Sequence, residues 1–206
     1  MDGTVLDTLE DLYDSINHSL EMCSLPPVKR ELVRQGLGNG AVYLVNCCVP
    51  ENCTSELRQQ VLDVYKPWYD AHCRIKTKPY AGILSVMQEL REQGVRLAII
   101  SNKPDTAVQE LAEVFFSDLL DVVVGETPSI RRKPAPDTVL MAARQMELST
   151  QDCIYVGDSE VDIQTARNAG MDCISVTWGF RDEDQLLAAG AEHLIHSPKE
   201  LLRFIF

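Results

Sequence analysis

Side chains able to do chemistry stand at the ends of two apolar runs in this sequence. Ser101 follows the run 96–100, and Asp158 follows the run 153–157. Each run has the pattern of a buried β-strand, and open parallel sheets bind ligands at the carboxyl ends of their strands. The Ser101 hydroxyl and the Asn102 N–H are therefore candidate donors to a phosphate oxygen, although serine at a strand end is also a common turn residue.

A lysine in a stiff loop supplies positive charge. Lys133 lies between Arg132 and Pro134, and Pro136 stiffens the loop further because its ring fixes φ. A lysine held in this way is a positioned point charge, suited to screening a nucleophile from the charge of a phosphate dianion. The alternative is an ordinary solvated surface lysine.

Oxygen ligands for a metal ion are also present. A carboxylate such as Asp158, without a cluster of His or Cys, favours Mg²⁺, which takes one or two carboxylates together with phosphate and water. Asp162 is a second candidate ligand. Ser159 and Asp162 also have the spacing of a capping box, which would start the following helix without any metal.

Four motifs, in order along the chain, resemble the signatures of the haloacid dehalogenase superfamily. Residues 1–8, Met-Asp-Gly-Thr-Val-Leu-Asp-Thr, resemble the end of the D-x-D-G-T-[LV]-x-D motif that opens its phosphatases. The second, third and fourth motifs have counterparts at 96–104, 132–137 and 154–162. Together with these, Thr-Trp-Gly at 177–179 makes the chain similar to the phosphoglycolate-phosphatase-like branch.

This resemblance implies a role for each matching residue. Asp2 would protonate the leaving oxygen and then activate water, and its main-chain carbonyl would bind the metal. Ser101 and Lys133 would complete the catalytic set. The phosphate-binding residues would be Thr4, Ser101, Asn102 and Lys133, and the metal ligands would be Asp2, Asp158 and Asp162.

The first aspartate of the opening motif is, in this family, the nucleophile that forms an aspartyl phosphate. Its place falls just before Met1, so we expect the 206 residues to lack both the nucleophile and a central strand of the sheet. The expected explanation is a start codon placed too late. A true truncation, giving a damaged or non-catalytic protein, is the alternative.

From Val95 onward, short apolar runs alternate with helical patterns, which predicts a parallel sheet with helices on its faces. The expected fold class is α/β, with a Rossmann-like core, and Gly170 is predicted to end the last helix of the series. The predicted strands are 96–100, 121–124, 153–157 and 173–177, and the predicted helices are 106–114, 138–146 and 161–169.

The segment before Val95 has a different pattern, since apolar residues recur at helical spacing and no strand-like run is evident. Asp7 and Glu10 are predicted to cap the first helix. The apolar positions of that helix are Leu9, Leu12, Ile16 and Leu20.

The resemblance also implies a domain organisation, with an inserted α-helical cap domain at 11–78 and a core domain formed by 1–10 and 79–206. The cap contains a glycine-dense stretch at 34–40. This stretch is either an interhelical turn or a substrate-specificity loop. In the second case, the specificity residues would be Arg34, Gly38 and Asn39.

Composition limits the possible partners. The net charge of −12 disfavours nucleic acids and anionic membranes. A small phosphorylated metabolite remains compatible, because local lysines and N–H groups decide its binding. Seven cysteines without a C-x-x-C pair indicate reduced thiols in a cytoplasmic protein, and no long apolar span or signal peptide is evident. Nothing in the sequence indicates the oligomeric state.

The favoured function is a Mg²⁺-dependent phosphatase that acts on a small phosphate monoester such as 2-phosphoglycolate. Asp2 argues against a dehalogenase, because a leaving halide needs no proton. Two alternatives stay open: a phosphomutase of the β-phosphoglucomutase type, and a non-catalytic remnant that binds phosphorylated ligands or a partner.

Overall fold

The computed structural model describes residues 1–205, and the chain forms two compact units. One unit contains Met1–Leu6 and the chain from Pro79 onward, and the other contains Asp7–Lys78. The first unit alternates strands with helices and the second is almost entirely helical, so the predicted α/β fold class is confirmed. Within residues 1–205, no helix combines the length and the apolar character needed to cross a membrane.

The helical unit is held together by apolar stripes at helical spacing. Its four helices are α1 (Leu9–Met22), α2 (Arg30–Gln35), α3 (Gly40–Cys48) and α4 (Ser55–His72). The predicted apolar positions of α1 are all buried, and α1 packs against α4. Thr54 caps α4, because its hydroxyl oxygen accepts the Leu57 N–H at 3.2 Å.

Two sequence-based expectations for the boundaries of this unit are wrong. Two short strands occur where none was predicted, β1 (Leu6–Asp7) and β2 (Lys78–Pro79). The predicted cap pair is also wrong. Thr8 is the residue preceding α1, and Asp7 accepts only a long hydrogen bond, 3.4 Å, from the Leu9 N–H. The carboxylate of Glu10 pairs with Arg30 instead.

The α/β unit follows the predicted alternation closely. Its strands are β3 (Ala98–Pro104), β4 (Val122–Glu126), β5 (Ile154–Gly157), β6 (Asp172–Val176) and β7 (His193–Ile195), and its helices are α5 (Ile83–Glu92), α6 (Asp105–Phe116), α7 (Asp137–Gln145), α8 (Glu160–Ala169), α9 (Glu183–Ala188) and α10 (Leu202–Ile205). The three predicted helices correspond to α6, α7 and α8 to within two residues. Gly170 ends α8 in the left-handed conformation, as predicted, with φ of 69°.

Strand β3 begins two residues later and ends four residues later than predicted. The later start has a local cause, because the side chain of Asp121 binds the residues in front of the strand. The Leu97 N–H donates to the Asp121 carboxylate at 2.9 Å, and the Leu97 carbonyl accepts the Asp121 N–H at 2.8 Å. Arg96 donates to the same carboxylate at 3.2 Å. These bonds take the place of ladder pairing at the start of the strand.

The strands of the α/β unit pair in parallel, but they form two separate sheets. β3 pairs with β4, and β6 lies between β5 and β7. No strand within residues 1–205 pairs with the remaining edge of β3 or of β5. A cavity of about 550 Å³ is lined by these two strands and by apolar side chains of α5 and α7. The two sheets are therefore separated by an apolar space.

Candidate active site

A tight turn carries the first predicted site residues. The carbonyl of Met1 accepts three N–H groups of the turn at 3.0–3.2 Å. Gly3 has φ of 75°, and a Cβ atom at this position would lie 2.1 Å from an oxygen of Asp158. The turn therefore requires glycine, both for its conformation and for the close approach of Asp158. Asp2 and Thr4 flank this glycine and are positioned by it.

A buried lysine joins this turn to the end of β3. The Nζ atom of Lys103 lies 2.9 Å from the carboxylate of Asp2, and the Lys103 side chain is only 4% exposed. Ser101, two residues earlier, accepts the Lys103 main-chain N–H on its hydroxyl oxygen at 3.2 Å. An ion pair with so little exposure is weakly screened by solvent. It places the Asp2 carboxylate next to the carboxyl end of β3.

Asp158 lies directly after β5 and is buried. One of its carboxylate oxygens accepts the Thr4 hydroxyl at 2.8 Å, and the other accepts the Phe180 N–H at 3.0 Å. Burial, together with the nearby charge of Asp162, raises the pKa of Asp158 to about 6. Asp158 is therefore an oriented carboxylate whose negative charge is not balanced by a salt bridge among residues 1–205.

The Lys133 ammonium is held by two buried groups. It donates to the Asp162 carboxylate at 2.6 Å and to the Tyr155 hydroxyl at 3.1 Å. Burial by itself would lower the pKa of Lys133, but the attraction of Asp162, with a smaller contribution from Tyr155, outweighs burial and raises it. Lys133 is therefore a charged group held in a buried position by Asp162 and Tyr155.

Asp162 receives four hydrogen bonds. One oxygen accepts Lys133 and the Tyr155 hydroxyl, and the other accepts the Ser159 hydroxyl at 2.7 Å and the Asp158 N–H at 3.2 Å. Burial acts to raise the pKa of Asp162, but Lys133 outweighs it and lowers the pKa to about 2. The Ser159 side chain makes no cap bond to the α8 backbone, so the capping-box alternative is wrong.

The Asn102 side chain holds the lysine loop. Its amide nitrogen donates to the Lys133 carbonyl at 3.1 Å, and its amide oxygen accepts the Lys133 N–H at 2.9 Å. These two bonds form a ring that mimics strand pairing between the end of β3 and the loop before α7. The sequence pointed to the main-chain N–H of Asn102, whereas its side chain is what positions Lys133.

The oxygen donors of this site suit a divalent cation to different degrees. The four donors around Asp162 use the roughly four acceptor sites of a carboxylate. Among the described residues, Asp158 accepts only two hydrogen bonds, and no salt bridge balances its buried negative charge. Its remaining lone pairs therefore fit a Mg²⁺ ion. Within residues 1–205, no three acidic, His or Cys side chains cluster as a complete metal site. A Mg²⁺ ion here would rely on Asp158, the Asp2 carbonyl, phosphate and water.

A continuous set of contacts joins the predicted core residues. They run from Lys103 and Asp2 through the turn to Asp158, and from Asp158 through Asp162 and Lys133 to Asn102. All of these residues belong to the α/β unit. The predicted specificity residues Arg34, Gly38 and Asn39 belong to the helical unit, where Arg34 pairs with Glu31 at 3.1 Å.

Three functional contacts were not expected from the sequence. Lys103 follows the Ser-Asn pair and faces Asp2, and Tyr155 contacts Lys133 from inside β5. The Trp178 indole N–H donates to the Thr4 carbonyl at 2.9 Å. The alternation of side chains along β5 was the available signal for Tyr155. The contact of Trp178 joins residues 174 positions apart, which no local pattern shows.

Comparisons with known proteins identify relatives along most of the chain. The family model described as haloacid dehalogenase-like hydrolase matches residues 1–176. The phosphoglycolate phosphatase of Rhodobacter capsulatus is 32% identical, over 88% of this chain and 83% of the relative. The N-acetylmuramic acid 6-phosphate phosphatase of Pseudomonas aeruginosa is 28% identical, over 98% of this chain and 90% of the relative.

A solved structure shows the same fold along the whole chain. The protein is a candidate phosphoglycolate phosphatase from Lactobacillus delbrueckii subsp. bulgaricus, with 38% identity and a TM-score of 0.95. The similarity covers 100% of this chain and 95% of the other. The motifs, the contacts among them and these similarities lead to one conclusion: the chain belongs to the haloacid dehalogenase-like hydrolase family, as its sequence predicted.

Proposed function

We propose that this protein is a Mg²⁺-dependent phosphoric monoester hydrolase that acts on a small metabolite such as 2-phosphoglycolate in the cytoplasm. The observation that carries the proposal is a buried positive group and a buried negative group placed together at the carboxyl ends of β3 and β5, which belong to different sheets. The Lys133 ammonium and the uncompensated Asp158 carboxylate are linked through Asp162, at the ends of β3 and β5. A phosphate monoester with a metal ion matches both charges. The phosphatase names of the relatives support this reaction class.

In this proposal each residue acts from its observed position. Lys133 neutralises the charge of the phosphate, and Thr4 and Ser101 lie in the segments that surround it. Asp2 donates a proton to the leaving oxygen and later accepts one from water, with the Lys103 ammonium beside it. A Mg²⁺ ion at Asp158 would supply further positive charge to the phosphate oxygens.

The nucleophile in this proposal is an aspartate that forms an aspartyl phosphate. No residue within 1–206 takes the place that the opening motif gives it, so we propose that this polypeptide alone does not turn over. The helical unit is proposed to act as the cap that selects the substrate, through Arg34, Gly38 and Asn39. In this proposal, the helical unit also determines whether the enzyme prefers 2-phosphoglycolate or another phosphate ester.

Hydrolysis of p-nitrophenyl phosphate tests the proposal. We expect residues 1–206 to show background rates, and a version with an apolar strand ending in Phe-Asp joined before Met1 to hydrolyse the ester only with Mg²⁺. The matched control is the same extension ending in Phe-Asn, which should be inactive. Mg²⁺-independent turnover by the extended protein, or robust turnover by residues 1–206, would refute the assignment. Conversion of a sugar 1-phosphate to its isomer without phosphate release would indicate the mutase instead.

A further inference from the structure

The segment after β6 contacts both the turn that carries Thr4 and the buried carboxylate of Asp158. It comprises residues 178–181, Trp-Gly-Phe-Arg, and is called here the 178–181 segment. Its first residue, Trp178, donates its indole N–H to the carbonyl of Thr4 at 2.9 Å. Thr4 also donates its hydroxyl hydrogen to Asp158. The indole of Trp178 therefore holds the turn at Thr4, the residue that connects the turn to Asp158.

The next two residues bring the main chain against Asp158. A Cβ atom on Gly179 would lie 2.3 Å from the Cβ of Asp158 and 2.4 Å from the carbonyl oxygen of Gly3. Only glycine allows this approach, since real Cβ contacts do not come so close. The approach places the Phe180 N–H 3.0 Å from a carboxylate oxygen of Asp158.

The last residue anchors the segment. Arg181 is buried and makes a bidentate pair with Glu160 in the first turn of α8, at 2.7 and 3.0 Å. A planar guanidinium paired in this way holds its backbone more firmly than a single bond would. The segment is thus tied at one end to β6, whose ladder continues through the bond from the Thr177 N–H to the Ile195 carbonyl at 3.1 Å, and at the other end to α8.

We propose that the 178–181 segment is a positioning element for ligand binding, in which Trp178 sets the phosphate-binding turn and the Phe180 N–H orients Asp158 toward the metal. The inference rests on the proposed function, because it assigns the positioned groups to phosphate and Mg²⁺. Asp158 accepts one bond on each oxygen, from Thr4 and Phe180, so its remaining lone pairs are directed by these two donors. Neither Trp178 nor Phe180 needs to touch the ligand.

Calorimetric titration of the 206-residue protein with inorganic phosphate and, separately, with Mg²⁺ tests whether Trp178 serves phosphate binding and Phe180 serves metal binding. Trp178→Phe removes the indole N–H and keeps an aromatic ring. We expect the Kd for phosphate to rise about three- to tenfold, as for one lost hydrogen bond, with the Kd for Mg²⁺ changing less than twofold. Gly179→Ala should weaken both ligands, since it displaces both Asp158 and the turn. The matched control is Trp68→Phe, because Trp68 stacks between His18 and His72 in the helical unit.

The possible results separate the inference from the function on which it rests. If the unmodified protein binds neither phosphate nor Mg²⁺, the proposed function fails, and the inference fails with it. If it binds both and Trp178→Phe leaves both Kd values unchanged, only the inference is overturned. Equal weakening of the two ligands by Trp178→Phe would contradict the assignment of Trp178 to the turn.

A second measurement does not depend on the stability of any site variant. The chain has two tryptophans, so Trp178 is the sole tryptophan in the Trp68→Phe protein and can be excited selectively over the tyrosines. If Trp178 holds the phosphate-binding turn, its fluorescence emission should change in parallel with phosphate saturation. Emission that stays constant while calorimetry shows saturation would overturn the inference.

Discussion

Two aspartates four residues apart acquire opposite electrostatic roles in this site. Asp162 lies beside the Lys133 ammonium, which lowers its pKa to about 2, whereas burial and the charge of Asp162 raise the pKa of Asp158 to about 6. Asp158 directly follows β5 and Asp162 lies in the first turn of α8, and the difference in pKa comes from burial and from the charged groups beside each carboxylate. The negative charge of Asp162 is balanced by Lys133, whereas the negative charge of Asp158 would be balanced by a bound cation.

The raised pKa of Asp158 predicts that protons and Mg²⁺ compete for it. Its folded-state pKa of about 6 lies above the usual value of 3.8, so ionisation opposes folding above about pH 6, and the stability from its protonated form grows as the pH falls below that value. Bound Mg²⁺ should favour the ionised form. We expect Mg²⁺ to raise the Tm at about pH 8 and to lose this effect at about pH 4.5. Differential scanning calorimetry with Ca²⁺-free buffers and Mg²⁺ measures it, and an equal Tm shift at both pH values would contradict the assignment.

The Lys133–Asp162 pair should be strongly coupled. Both side chains are at most 9% exposed, so Asp162→Asn leaves a buried ammonium without its counter-charge and should cost about 3–5 kcal/mol of unfolding free energy. The double variant Lys133→Met with Asp162→Asn should lose less unfolding free energy than the sum of the losses in the two single variants. Urea unfolding measures all of them. The exposed pair Arg30–Glu10 is the control, and its double-variant cycle should show little coupling.

At the scale of elements, the unusual feature is the apolar space between the two sheets, which is lined by side chains of α5 and α7. β3 and β5 each have an edge without a partner strand within residues 1–205, and the cavity of about 550 Å³ is lined by both strands. At a strand spacing of about 4.8 Å, one extended segment running parallel to β3 and β5 would bridge the two edges. Its alternate side chains would enter the apolar space on each face of the layer.

An added strand is therefore predicted to stabilise the protein. We expect five apolar residues joined before Met1 to increase the unfolding free energy by about 2–5 kcal/mol, because burial of their side chains exceeds the entropy lost in ordering them. A Gly-Ser extension of equal length is the matched control and should change it by less than about 0.5 kcal/mol. Guanidinium unfolding measures both. Equal stability of the two extended proteins would show that the space does not accept a strand.

The sequence predicted elements where the signal is local. The helices α6, α7 and α8 follow from apolar spacing. The end of α8 follows from Gly170, because glycine readily adopts the left-handed conformation that ends the helix, here with φ of 69°. The start of β3 was missed because the carboxylate of Asp121, a distant residue, binds Leu97. The motif residues of the α/β unit are joined by contacts in the folded chain, whereas the contacts of Lys103 and Trp178 have no local sequence signal. Local patterns thus predict helices, strands and motif residues. The side chains that hold the motif residues in place are determined by tertiary contacts.

At the scale of the whole molecule, the chain forms two compact units of different construction. The α/β unit contains the charged, buried contacts of the candidate site, and the helical unit contains the glycine-dense stretch with Arg34 and Asn39. In that stretch Gly38 has φ of 103°, and Asn39 is the residue that precedes α3 without making a side-chain cap bond. The amide of Asn39 is therefore not used to cap its own helix.

The proposed cap role of the helical unit makes a last prediction about substrate choice. In the active, N-terminally extended protein, Asn39→Ala should change the ratio of kcat/KM for 2-phosphoglycolate to that for p-nitrophenyl phosphate by about tenfold, because a specificity loop interacts with the leaving group and not with the phosphate. Asp158→Asn should abolish turnover of both esters, since the metal acts on the phosphate common to them. Asn52→Ala, at an exposed position of the same unit, is the control and should leave the ratio unchanged. If Asn39→Ala lowers kcat/KM for both esters by the same factor, the helical unit does not select the substrate through Asn39, and the loop is an interhelical turn.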